Sequence, residues 1–104
     1  MDVKVNAEEW KGLSNEDRSK IQAIIAAHFK DAAISGGDKI LPAKQFLDQP
    51  RTLKFNFSNP LCTAACAVAE AAAVAACSAL SGGIAVAVCV AAAHEAGSYC
   101  RTKC

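Results

Sequence analysis

Residues 61–104 read LCTAACAVAEAAAVAACSALSGGIAVAVCVAAAHEAGSYCRTKC, and this stretch decides the fold. Its cysteines, Cys62, Cys66, Cys77, Cys89, Cys100 and Cys104, are separated by steps of 4, 11, 12, 11 and 4, a series that reads the same in both directions. Paired from the outside in, Cys62 falls opposite Cys104, Cys66 opposite Cys100 and Cys77 opposite Cys89. All three pairs are centred on Gly83, inside the run Ser81-Gly82-Gly83. A chain that folds back at Gly83 brings each pair level.

Steps of 4 and 11 are helical steps. Measured from Cys62, Cys66 lies about 40° and Cys77 about 60° around a helix axis; measured from Cys89, Cys100 lies about 20° and Cys104 about 60° around. Each arm therefore carries its cysteines on one narrow stripe about 22 Å long, and the rungs match in height. Disulfides need Cα atoms roughly 4.4–6.8 Å apart. Helices whose axes lie about 8–10 Å apart meet that need when the residues between the cysteines are small. Alanines fill both arms: Ala64, Ala65, Ala67, Ala69, Ala71 to Ala73, Ala75, Ala76 and Ala79 in the first, Ala85, Ala87, Ala91 to Ala93 and Ala96 in the second.

Asn59 reads as a helix cap and Pro60 as a first helical residue. Gly82 and Gly83 end the first arm and permit a reversal. The run Ile84-Ala85-Val86-Ala87-Val88-Cys89-Val90 alternates in size and is also compatible with a strand. The cysteine stripe and the following Ala91-Ala92-Ala93-His94-Glu95-Ala96 favour helix. Six cysteines allow 15 connectivities, so the nested pairing is a geometric inference. Reduced cysteines packed as small hydrophobes are the alternative. A metal site is a weaker one, because no histidine accompanies either CxxxC pair.

The chain has 104 residues and a net charge of +1, which gives no electrostatic case for a nucleic-acid partner. Its two parts differ. Residues 1–60 hold nine Lys or Arg and eight Asp or Glu, whereas residues 61–104 hold only Glu70, Glu95, Arg101 and Lys103. A hairpin of that length buries too little surface to stand unaided, and disulfides are the usual remedy, which points to an oxidising destination. Met1-Asp2-Val3-Lys4-Val5-Asn6-Ala7-Glu8-Glu9-Trp10 lacks the apolar core of a secretory signal peptide. The expected route to oxidation is therefore another one.

Residues 14–33 form an expected amphipathic helix. Ser14 caps it and Glu16 and Asp17 favour its positive end. Ile21, Ile24, Ile25, Phe29 and Ala32 share one face, with Arg18, Lys20, Gln22 and Lys30 elsewhere. The helix is expected to stop at Ile34-Ser35-Gly36-Gly37, and the bland reading is a helix packed on the hairpin with a glycine C-cap. Pro42, Pro50 and Pro60 break helices beyond it. Leu53, Phe55 and Phe57 alternate with Lys54 and Asn56 as in a short strand. The expected fold class is all-α: a disulfide-stapled antiparallel hairpin of helices at about 60–80 and 84–102, preceded by the helix at about 14–33. The expected organisation is a leader or guard segment at 1–37, a proline-containing linker at 38–60 and the six-cysteine hairpin at 61–104.

Leu13-Ser14, the acidic pair, the helix and Gly36-Gly37 together resemble the double-glycine leaders of bacterial peptide precursors. The resemblance implies cleavage after Gly37 by a transporter-linked cysteine peptidase, with Ile34 as the apolar residue four positions before the cut; Asp31 departs from the apolar residue usual three positions further back. Residues 60–104 resemble, in alanine, glycine and cysteine usage, the helical cysteine-rich bacteriocins of the halocin C8 type, though with fewer cysteines. That likeness implies a front half that is removed and protects the producer.

No phosphate loop, paired catalytic motif or cofactor fingerprint stands in the chain, so the expectation is a non-enzymatic protein with no catalytic residue, cofactor or metal. Glu70 falls opposite Ala96 on the nested register and reads as a solvated edge, in preference to a polar interruption facing a pore; His94 beside Glu95 reads as surface, in preference to a group that tunes membrane behaviour with pH. The expected function is the precursor of a secreted, membrane-active antimicrobial peptide. Its partners are a processing peptidase-exporter and a target membrane, and export is leader-dependent. Val, Ile and Leu on the outer faces would meet the bilayer, with Arg101 and Lys103 at one end. One alternative is a thioether-modified precursor drawing on Thr63, Ser78, Ser81, Ser98 or Thr102, although thioether rings do not require equal arms. The other is a non-enzymatic binding or chaperone-like module of an oxidising compartment. Cys62-Thr63-Ala64-Ala65-Cys66 and Cys100-Arg101-Thr102-Lys103-Cys104 are similar to the twin CxxxC motifs of the small translocase chaperones of the mitochondrial intermembrane space, with a longer gap and an extra pair inside it. Saposin-like proteins also carry six cysteines in three bridges, at different spacings.

Overall fold

The computed structural model describes residues 2–37, 40, 42–43 and 60–103. The elements run β1 (Asp2–Asn6), α1 (Ala7–Gly12), α2 (Asn15–His28), β2 (Ala33–Gly37), α3 (Pro60–Cys77) and α4 (Gly83–Thr102). Helices α3 and α4 form the expected hairpin. The Cys66–Cys100 and Cys77–Cys89 bridges join them with Cα separations of 5.8 and 5.7 Å. Both lie inside the window that the helical spacing requires. Cys62 is also disulfide-bonded, and the expected Cys62–Cys104 pairing lies outside the described residues, as does the expected Asn59 cap. The second arm is helical throughout, not a strand.

The reversal follows its residues. Helix α3 ends at Cys77, and Ser78, Ala79 and Leu80 each donate to the carbonyl three residues back. Gly82 takes φ 103°, a left-handed conformation that side-chain-bearing residues rarely adopt, and α4 begins at the pivot Gly83. The first arm thus ends three residues earlier than its expected boundary near 80. Leu80 leaves the helix to cover the inner end of the core.

The fold is mainly helical but not all-α. Strands β1 and β2 pair in parallel, Asp2 with Ala33 through Asn6 with Gly37. Val3 and Val5 turn inward while Asp2 and Lys4 face solvent, the period-two pattern of a half-buried strand. Asn6 ends β1 and starts α1: its Oδ1 accepts from the Glu9 N–H at 2.9 Å while its Nδ2 donates to the Ile40 carbonyl at 2.8 Å. Ser14 caps α2 as expected, accepting from the Asp17 N–H at 3.1 Å.

Helix α2 stops at His28, well short of the expected boundary at 33. Phe29 is extended and buried, and Asp31 takes φ 62° in the turn that follows. Gln22 supplies the hydrogen bonds that this early stop requires. Its Nε2 donates to the Ala32 carbonyl at 2.7 Å and its Oε1 accepts from the Ile34 N–H at 2.8 Å. Backbone groups that lose helical partners at the break are thereby satisfied.

One core joins the front unit, β1 to β2, to the hairpin. Val3, Val5, Leu13, Ile21, Ile25, Phe29 and Ala32 meet Ala73, Cys77, Leu80, Ala85, Val88, Cys89, Ala91 to Ala93 and Ala96. Helix α4 is the central element, packed against α3 on one side and against β1 and α2 on others. The expected strand at 53–57 lies outside the described residues.

Candidate functional site

Glu70 is the lone charged residue of α3, and it points into the hairpin. One carboxylate oxygen, Oε1, lies 2.5 Å from His94 Nδ1; the other, Oε2, accepts from Arg101 Nη1 at 2.5 Å. Only 13% of the Glu70 side chain and 9% of the Arg101 side chain remain exposed. His94, Gly97 and Arg101 stand at i, i+3 and i+7 and share one face of α4. Gly97 is the opening in that face. A Cβ there would come within 2.6 Å of Glu70 Oε2 and 2.7 Å of its Cδ. The glycine lets the carboxylate cross from α3 and reach a partner on either side.

Three expectations are corrected by this arrangement. Glu70 is not a solvated edge, because His94 and Arg101 supply partners inside the hairpin. His94 is not simply a surface residue. Arg101 is buried and engaged, so of the two terminal cations only Lys103 is exposed, its Nζ 5.2 Å from the Tyr99 ring centre. Burial raises the Glu70 carboxyl, but the hydrogen bonds and positive charges of Arg101 and His94 outweigh that effect and hold it below its ordinary 4.5. The carboxylate form is therefore favoured in the fold.

Gly36 and Gly37, the expected cleavage pair, lie in β2, opposite Val5 and Asn6. They are not a helix C-cap. A Cβ on Gly36 would come 2.9 Å from Ala7 Cα, and one on Gly37 would come 3.0 Å from Ile40 Cγ1. Packing of β2 against α1 and Ile40 is thus a structural reason for both glycines. Ile34, also in β2, pairs with Val3, and its N–H is held by Gln22.

The third feature is the outer surface of the hairpin. Leu61, Val68 and Ile84 are exposed large apolar residues. Ala64, Ala65, Ala67, Ala71 and Ala75 are exposed beside them on α3. Only 22% of α3 is buried, against 44% of the apolar window of α4. By length and composition both helices are apolar enough to cross a membrane. An open groove of about 360 Å3 runs where the end of α2 meets the Cys66–Cys100 bridge, lined by His28, Phe29, Lys30, Cys62, Ala65, Cys66, Ala69 and Cys100.

The cysteine stripe is readable from spacing alone. The polar clasp carries a fainter signal: the i, i+3, i+7 set of His94, Gly97 and Arg101 opposite the single charge of an alanine arm. Comparison with known protein families, curated proteins and solved structures finds no match.

Proposed function

We propose that the chain is the precursor of a secreted, cysteine-rich antimicrobial peptide that acts on membranes, with the front unit as its cover. One observation carries this reading: the front unit lies over the apolar inner surface of a hairpin that has its own covalent staples. Val3, Val5, Ile21, Ile25 and Phe29 bury Val88 and the alanines of α4 in one cluster. Removing the front unit would uncover that surface and leave the Cys66–Cys100 and Cys77–Cys89 bridges in place. A bridged hairpin with apolar surface on two sides is suited to lie in a bilayer interface. Cleavage after Gly37 is the step that would expose it. Since Gly36 and Gly37 pair with β1, the peptidase and exporter would have to act before β2 joins the sheet, or on a transiently opened sheet.

The shared core also favours a second reading, an uncut binding module of an oxidising compartment, in which the front unit stays and the exposed face of α3 is the working surface. Two measurements separate them. The natural product of the first reading begins at Asp38 and is two hydrogens lighter than the reduced peptide for every bridge; water losses at Ser or Thr would indicate thioethers instead. The oxidised chain cut after Gly37 should release dye from anionic phosphatidylglycerol vesicles, whereas the intact chain and the reduced cut chain should not. An uncut natural product together with no leakage by the cut chain would sink the precursor reading and leave the binding module.

A further inference from the structure

We propose that Glu70, His94 and Arg101 form a register key that directs Cys66 to Cys100 and disfavours the pairings open to a hairpin slipped by one helical turn. The twin CxxxC ends create the need for such a key. Cys62 and Cys66 are one turn apart, as are Cys100 and Cys104. Sliding the arms by one turn in one direction brings Cys62 level with Cys100; sliding them in the other brings Cys66 level with Cys104. Most of the surface between the arms is alanine, which resists neither slide before the Cys77–Cys89 rung closes.

The clasp does discriminate. His94 and Arg101 are seven residues apart, about 10.5 Å along α4, and Glu70 grips both from between them. A slide of about 5.4 Å in either direction carries the carboxylate away from one partner. It also moves Glu70 off Gly97, the one position in that face without a Cβ, and from the level of Ala96 to that of Ala92 or Cys100. Each slipped register thus loses a charged hydrogen bond and leaves a buried charge half-satisfied.

The experiment is oxidative refolding of the full reduced chain in a glutathione buffer near neutral pH. For each bridge, one cysteine thiolate attacks oxidised glutathione and expels one glutathione thiolate. The second cysteine then displaces the other. Two cysteine thiols are oxidised, one glutathione disulfide is reduced to two thiols, and the two cysteine protons end on them. Bridges are mapped by peptide fragmentation mass spectrometry.

The wild-type chain should regain Cys66–Cys100. In Glu70→Gln the ratio of this bridge to the slipped ones should fall about tenfold or more, the loss expected for a charged hydrogen bond. The single-partner variants add direction. Arg101→Gln keeps the grip toward the turn and should favour Cys62–Cys100; His94→Gln keeps the outer grip and should favour Cys66–Cys104. Val88→Ala, a core truncation away from the clasp, should lose stability yet retain native pairing. Wild-type pairing in Glu70→Gln, a random spread over all connectivities, or identical mixtures from Arg101→Gln and His94→Gln would each overturn the key.

Discussion

Ile21, Ile25 and Phe29 hold the front unit by the size of their side chains, whereas the buried face of the hairpin is built from Ala73, Ala85, Ala92, Ala93 and Ala96 around Cys77 and Cys89. The difference sets what each region can tolerate. An isoleucine buries enough apolar area to contribute about 1.5–3 kcal/mol, so a few of them order a small unit. An alanine contributes far less, so the hairpin closes its helices to disulfide distance and uses covalent bonds where the front unit uses volume. The two devices depend on one another at α4, whose small residues let Ile21 and Ile25 reach full burial.

Breaking the staples is the harshest test of that contrast. Loss of a native disulfide from a small domain costs about 2–5 kcal/mol. Losing the Cys66–Cys100 and Cys77–Cys89 bridges together would remove most of the roughly 5–15 kcal/mol that stabilises a typical domain. Reductant should therefore abolish most of the helical circular dichroism at 25 °C, in front unit and hairpin alike, because they share a core. A melting temperature unchanged by reductant would show that side-chain packing alone holds the alanine arms.

The legible and illegible parts of the fold divide along the same line. Cysteine spacing is a long-range constraint written directly in residue numbers, so the hairpin, its turn at Gly82 and Gly83 and two of its rungs are readable from the chain alone. The front unit has no such marker. Val3 and Val5 alternate with Asp2 and Lys4, but a five-residue strand is short, and its parallel partner is separated from it by two helices. The stop of α2 at His28 is not readable because no glycine or proline stands there; it depends on Phe29 finding a pocket and Gln22 finding the Ala32 and Ile34 backbone. The Gly36-Gly37 pair suggests a helix end and a cleavage site, and close packing of β2 against Ala7 supplies a third reason for its first glycine. Glu70 reads wrongly as a solvated edge because helical phase places it near the seam without saying that Arg101 and His94 reach it.

A gentler test works on the front unit. Ile25 is fully buried, and Ile25→Ala should cost about 2–5 kcal/mol through lost burial and an unfilled cavity. With the bridges intact, amide exchange should quicken across α2, β1 and β2 first, while α3 and α4 keep more of their protection. If all helices lose protection together, the staples do not make the hairpin more durable than its cover, and the proposal that it survives removal of the front unit is weakened.

The smallest expected effect reports on the clasp, and its sign is fixed by the direction of the Glu70 shift. The folded carboxyl lies below its ordinary 4.5 because the bonds and charges of Arg101 and His94 outweigh the opposing effect of burial. A group whose folded value is depressed adds stability that is present above its unfolded value and is lost as pH falls through the folded one. Its contribution should thus be complete above about pH 4.5 and should fade on acidification below that. Other carboxylates titrate over the same range, so the informative quantity is the difference in melting temperature between wild type and Glu70→Gln at each pH. That difference should shrink as pH falls below about 4.5, because a protonated Glu70 and the glutamine of the variant are both neutral. A difference that persists unchanged into strong acid would mean that Glu70 stabilises the hairpin by packing against Gly97 and not by its charge. The two outcomes bear directly on the regional contrast: the first makes the alanine hairpin dependent on one buried charge as well as its bridges, the second leaves the bridges as its main support.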